Sequence, residues 1–194
     1  MTKSGYEFVR ETIQLQDRSY DSELWNRLVA LRRGPTIIRI ESPINLPRAR
    51  SVGYKAKQGY VICVIKVRRG TMNKIRPNKG RKNANMGTNK ITTKKSLQWM
   101  AEERVAKKYV NMEVLNSYRL ASDGEHHYFE VILVDPMHPS IIADPKIAWI
   151  GLKNNTSRVY RGLTSAGKKV RSLRCKGHGA EHVRPSLAAN DHRH

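Results

Sequence analysis

Between Glu41 and Glu102, sixty consecutive residues carry no carboxylate, yet fifteen lysines and arginines fall among them. A block of that kind cannot neutralise itself, so a fold built from it has to leave those cations on a surface that meets an external anion. At its centre lies the run Tyr60-Val61-Ile62-Cys63-Val64-Ile65-Lys66-Val67, β-branched and apolar, which has the pattern of a largely buried strand. Glycines at 53, 59 and 70 interrupt the side-chain cover on either side and allow close backbone approach. The combination predicts a central strand with cationic flanks, pinned against a polyanion.

A second acid-free block runs from Asp144 to Glu181 and holds nine lysines and arginines. Across all 194 residues, 37 Lys and Arg oppose 16 Asp and Glu, a formal charge of +21. A surface shaped only for solubility would mix the signs. Their separation here predicts two anion-binding surfaces. An apolar fraction of 39% supports one modest core and leaves the remainder as arm or tail. Two cysteines, Cys63 and Cys175, do not make a disulfide framework, and Cys63 in its strand is expected to act as a small hydrophobe. Residues 1–16 lack the apolar segment of a signal peptide, and no apolar run approaches the roughly twenty residues that span a bilayer. The chain is therefore expected to be soluble and intracellular.

Helical spacing of Tyr6, Val9 and Ile13 predicts a first helix over residues 6–15. A second presents Leu24, Trp25, Leu28 and Leu31, is capped by Asp21 or Ser22, and stops at Gly34-Pro35. Residues 36–40 suit a short strand, and 42–47, with two prolines, an extended connector. Residues 96–108 give the clearest helix, with Ser96 as cap, Leu97, Met100, Ala101 and Val105 on one face, and a Glu103–Lys107 pair. Two strand-like runs, 112–121 and 127–134, flank Asp123-Gly124, a hairpin signal. Most acids of the second half fall on this hairpin and the preceding helix, so that face is expected to turn away from the anion. Ile141, Ile142, Ile147 and Trp149 are expected to pack back onto the core, and a short helix fits 164–173.

The candidate contacts to a polyanion are Arg48, Arg50, Tyr54, Lys55 and Lys57 before the strand and Arg68, Arg69, Lys74, Arg76, Lys79, Arg81, Lys82, Lys90, Lys94 and Lys95 after it. Residues 68–95 set their cations among Gly, Asn and Thr, too polar to bury enough surface to offset ordering entropy. In the second block the candidates are Arg158, Arg161, Lys168, Lys169, Arg171, Arg174, Lys176 and Arg184. Such cations act on phosphates, giving position and affinity more than base specificity. Tyr54 and Tyr60 suit base stacking or core packing alike. Lys94 and Lys95, just before a helix N-terminus, either flank a phosphate there or oppose the helix dipole at small cost. Cys175, His178 and His182 have metal-like spacing but fall short of the four ligands of a structural zinc, so neither metal nor cofactor is expected. His126, His127 and His138 suit surface or turn positions. No nucleophile elbow, Walker loop or dinucleotide fingerprint is present, Glu102 and Glu103 suit a helix surface, and Asp135 and Asp144 each precede a proline as turn residues do.

Several stretches, in order along nearly the whole chain, resemble the ribosomal protein L15e family of the archaeal and eukaryotic large subunit. They are Arg48-Ala49-Arg50, Gly53-Tyr54-Lys55-Ala56-Lys57-Gln58-Gly59, Ala101-Glu102-Glu103-Arg104, Val114-Leu115-Asn116-Ser117-Tyr118, Phe129-Glu130-Val131-Ile132-Leu133-Val134-Asp135-Pro136 and Arg161-Gly162-Leu163-Thr164-Ser165-Ala166-Gly167. The ending Val183-Arg184-Pro185-Ser186-Leu187 is closer to archaeal members. The family often has more arginine over 71–82 and in the tail. The resemblance implies an α+β fold: a small antiparallel β-sheet covered by helices, with an N-terminal helical extension and a long basic loop and C-terminal tail that enter rRNA. It also implies a non-enzymatic structural role in the large subunit of the cytoplasmic ribosome, with rRNA and neighbouring ribosomal proteins as partners.

The organisation expected is a helical extension and connector over 1–47, an α+β core over 48–150 carrying the basic loop 68–95, and a basic rRNA-binding tail over 151–194. Two alternatives from other classes are an RNA-processing or RNA-modifying enzyme and a basic chromosomal protein that coats DNA.

Overall fold

The computed structural model describes residues 3–16, 19–89, 91–175, 177–183 and 189. Its elements in chain order are helices α1 (Gly5–Gln14) and α2 (Glu23–Arg33), strand β1 (Ile37–Ile40), helix α3 (Leu46–Ser51), strand β2 (Tyr60–Arg68), helix α4 (Leu97–Lys108), strands β3 (Glu113–Ser122) and β4 (His126–Val134), and short helices α5 (Pro139–Ile142) and α6 (Ser165–Val170). The fold is α+β, as expected: one four-stranded antiparallel sheet in the order β1-β2-β4-β3, with helices on it.

The β-branched run forms β2, which pairs with β1 on one side and with β4 along its full length on the other. Both faces of the strand are buried, Ile62 and Val64 on one and four residues on the other. Val61, Cys63, Ile65 and Val67 join Phe129, Val131 and Leu133 of β4 on one face, under Trp99, Ala101 and Val105 of α4. On the opposite face Ile132 and Val134 pack with Ala49 of α3, Leu115 and Tyr118 of β3, and Ile141, Ile147 and Ile150. A central strand buried on both sides explains why β2 lacks polar alternation.

Caps fall where short side chains precede apolar patterns. Ser22 accepts from Trp25 N, deciding between the two candidate caps of α2, and Ser96 accepts from Trp99 N. The connector departs from expectation. Pro47 lies in the first turn of α3, where its missing N–H costs nothing, and Asn45 caps that helix through Arg48 N. Gly59 (φ +89°) lets the start of β2 lie against α5, since a Cβ there would sit 2.6 Å from Ile141 Cγ1.

Other expectations are corrected by burial. Glu102 is fully buried rather than a helix-surface carboxylate, and Trp99 shares that buried face of α4. Glu130 of the hairpin is fully buried too, so these acids are not simply an outward face. Glu103 pairs with Lys95 (2.6 Å) instead of Lys107. Ile141 and Ile147 are buried, but Ile142 is exposed on the outer side of α5. The composition change at Gly151 is not a packing boundary. Val159 and Ala166 belong to the core under α4, and the chain settles there because Gly162 and Gly167 touch: a Cβ on Gly167 would lie 2.5 Å from Gly162 Cα.

Candidate nucleic-acid interface

The long basic loop starts from a hydrogen-bonded hub at the β3–β4 turn. Asp123 accepts from Glu125 N, His126 N, the Tyr128 hydroxyl (2.7 Å) and Arg32 Nε (3.1 Å). Burial would raise its carboxyl, but these donors outweigh it and hold the group well below the usual carboxylate range. Arg69 donates through its backbone to Glu125 O and through its side chain to Asp123 O. Lys66 closes the other side, donating to Arg32 O and Gly34 O, the orphan carbonyls at the end of α2. The hub fixes the direction in which Arg68 and Arg69 deliver the chain.

Beyond Gly70 that order ends. Among the described residues up to Ser96, regular structure is one 3-10 turn, Asn83–Asn85, and the backbone hydrogen bonds are local, such as Gly80 N to Asn78 O and Ile91 N to Thr88 O. Arg68, Arg76, Lys79, Arg81, Lys82 and Lys94 are exposed, Lys74 is half-exposed, and none forms an ion pair among the described residues. Lys90 lies outside the described residues. Lys95 is committed differently from Lys94, being tied to Glu103 and set 5.2 Å from the centre of the Trp99 ring.

Upstream of β2, Arg48 and Arg50 are exposed on α3, with Arg50 lying 5.2 Å over the Tyr6 ring. Tyr54 and Tyr60 meet edge-on at 5.9 Å and pack on the second core, so they face the protein. Lys55 and Lys57 both donate to Asp144 Oδ2, at 2.7 and 2.8 Å, and hold its carboxyl well below the usual range. Asp135 and Asp144 accept from the backbone N–H two residues on, which is the turn role read for them.

The second basic block divides into buried and exposed cations. Arg158 is buried. Its Nη1 donates to Val114 O (2.7 Å) and Leu115 O (2.8 Å), beside an irregularity in the β3–β4 pairing, and its guanidinium stacks 5.0 Å from the Trp149 ring centre. Behind it, Glu102 accepts from Ser117 Oγ and from Thr164 Oγ1 (2.6 Å), and burial pushes its carboxyl up against those two donors. Thr164 also caps α6 through Gly167 N, so the buried acid sets where α6 sits. From there Lys168 and Lys169 project exposed. Arg171 donates to Arg161 O and Gly162 O, Arg161 to Asn154 O and Thr156 O, and Arg174 to Ser165 Oγ. Lys176 and Arg184 lie outside the described residues.

Among the described residues no group of three or more His, Cys, Asp or Glu side chains is placed to hold a metal ion. His178 lies 3.6 Å from Glu181, and the side chain of His182 is outside the described set. No helix among the described residues is long and apolar enough to cross a membrane.

The model of the family described as Ribosomal L15 (L15e) matches residues 4–190, spanning both basic blocks and the sheet between them. The chain belongs to the ribosomal L15e family. Members are components of the cytoplasmic ribosome, which makes this L15e chain a structural constituent of the large subunit, in a family that is generally non-enzymatic. Ribosomal RNA and other ribosomal proteins are the partners the family implies. The stretch Arg161–Gly167, one of those that carried the resemblance, now has a physical reason. Its glycines and threonine are what bring α6 onto α4.

Proposed function

We propose that this L15e chain binds large-subunit rRNA through the loop 68–95 and the exposed cations that follow Gly151, acting structurally and without a catalytic step. The folded sheet serves as the anchor, and the loop orders against RNA helices, where its lysines and arginines displace counterions from phosphates. The observation that supports this most is the state of the loop. Beyond Gly70, Arg76, Lys79, Arg81, Lys82 and Lys94 are exposed and lack ion pairs among the described residues, while the backbone hydrogen bonds described there are local. A chain of +21 keeps such a segment extended by self-repulsion until an anion arrives.

Arg48, Arg50, Lys168 and Lys169 add further exposed cations to that binding. Lys55 and Lys57 contribute a clamp already organised on Asp144, with one positive charge left over. Arg158 belongs to the scaffold. Sedimentation tests the reading: the wild-type chain is expected to travel with large subunits through high-salt sucrose. A variant with Lys74, Arg76, Lys79, Arg81 and Lys82 changed to Gln is expected to be stripped off. Recovery of the wild-type chain in free cytosol or on chromatin, or equal retention of the variant, would refute it.

A further inference from the structure

A cavity of about 510 Å³ lies between the N-terminal helices and the edge strand β3, well within the range of small-ligand sites. Ile13, Leu24, Trp25, Leu28 and Leu31 supply its apolar walls, and Arg27 and Arg119 stand among the lining residues, with no carboxylate in the lining among the described residues. At Trp25 the ring of Tyr20, itself 81% exposed, stands 4.7 Å away centre to centre and tilted by 53°. The turn that presents Tyr20 is held in shape. Asp21 adopts a left-handed backbone (φ 65°), and Asn26 Nδ2 donates to both its carbonyl and its carboxylate. Among the described residues the two arginines have light commitments: Arg27 to the exposed Glu23 on its own helix, and Arg119 to Ser122 Oγ. An exposed pair such as Arg27–Glu23 is weak enough for a phosphate to displace.

We propose that this cavity receives one unpaired nucleotide of rRNA, its base against Trp25 and Tyr20 and its phosphate on Arg27 and Arg119. The inference rests on the rRNA-binding reading above and adds a site outside the loop and tail. A nucleotide brings an aromatic face and an anion in a single unit, which is what this lining offers. An apolar protein segment would fill the walls but leave both guanidinium groups facing a hydrophobic partner.

Photocrosslinking in assembled large subunits separates the two claims. Tyr20→p-benzoylphenylalanine reports on the cavity, and Ile75→p-benzoylphenylalanine, at a loop position 82% exposed, reports on the loop. Both are expected to attach to rRNA, the first at an unpaired nucleotide. With Trp25→Leu, that nucleotide should become several-fold more reactive to base-modifying reagents, and the nucleotide attached at position 75 should not change. Tyr20→Ala carries the same expectation should Trp25→Leu fail to accumulate. An adduct from position 20 to protein, to a paired nucleotide or to nothing, with position 75 still attached to rRNA, overturns the cavity proposal alone. So does unchanged reactivity in both variants. Absence of rRNA adducts at both positions overturns the rRNA reading and this inference with it.

Discussion

Thr164 donates its hydroxyl to Glu102 Oε2 at 2.6 Å while accepting the N–H of Gly167 at 3.2 Å, so one side chain both satisfies a buried acid on α4 and starts α6. Thr164→Val keeps the shape and removes both bonds. A loss of about 2–3 kcal/mol is expected, from an under-satisfied buried carboxylate and a missing cap. Thr164→Ser should recover most of it. Urea unfolding followed by circular dichroism measures both.

Glu130 gives the fold a pH dependence at neutral pH. Burial pushes its carboxyl up to about 7 from an ordinary 4.5, against Tyr118 and Ile44 N, the latter donating to Oε1, and Oε2 is buried with no hydrogen-bond partner within range among the described residues. Between those two values the folded state holds a proton that the unfolded chain has released, so stability falls as pH rises across that window. The upper bound is roughly 3 kcal/mol. Glu130→Gln is expected to flatten the slope and to be more stable than wild type at pH 8. Unfolding free energies from pH 5 to 8 check this, and parallel slopes in the two proteins would rule it out.

Arg158 is predicted to matter to folding alone. Its planar fork reaches two carbonyls of β3 and a third at Leu163, a geometry that an ammonium group cannot copy. Arg158→Lys should cost about 3 kcal/mol, the scale of breaking a buried charged network. Arg161→Lys should cost under 1 kcal/mol, as most surface changes do. Thermal unfolding of the two variants separates them.

How far the sequence foretold the molecule depends on the range of the forces involved. The β2 run, the Asp123-Gly124 turn and the caps Ser22 and Ser96 were legible because each is decided by neighbours in sequence. Glu102 and Glu130 were not, because their burial is made tolerable by partners far along the chain: Ser117 and Thr164 for one, Ile44 for the other. Arg158 looked like any cation of its block. It differs only because β3 offers it the carbonyls of Val114 and Leu115. Of the candidate contacts, most described loop cations are exposed and Lys74 is half-exposed, whereas Lys55, Lys57 and Lys95 have carboxylate partners that spacing did not reveal.

The strand and its flanks divide their work. Ile65→Ala in the first core should cost about 2–5 kcal/mol, with RNA affinity reduced only through unfolding. Replacing Lys55 and Lys57 together by Gln frees Asp144, whose carboxyl returns towards its ordinary range. That carboxyl now contributes stability above about pH 3.8 which is lost as pH falls further, so the double variant should lose less on acidification. Its fold at neutral pH should survive while RNA binding weakens. Acid titration of unfolding, alongside filter binding to large-subunit rRNA, tests both halves.

Neutralisation of rRNA phosphates by the loop cations is the step on which the proposed binding turns. It is tested most directly by the salt dependence of binding between the full chain and purified large-subunit rRNA. With Lys74, Arg76, Lys79, Arg81 and Lys82 changed to Gln, the slope of log K against log salt should shrink by about 0.7–0.9 for each phosphate no longer neutralised, with the unfolding midpoint unchanged. An unchanged slope would contradict the account.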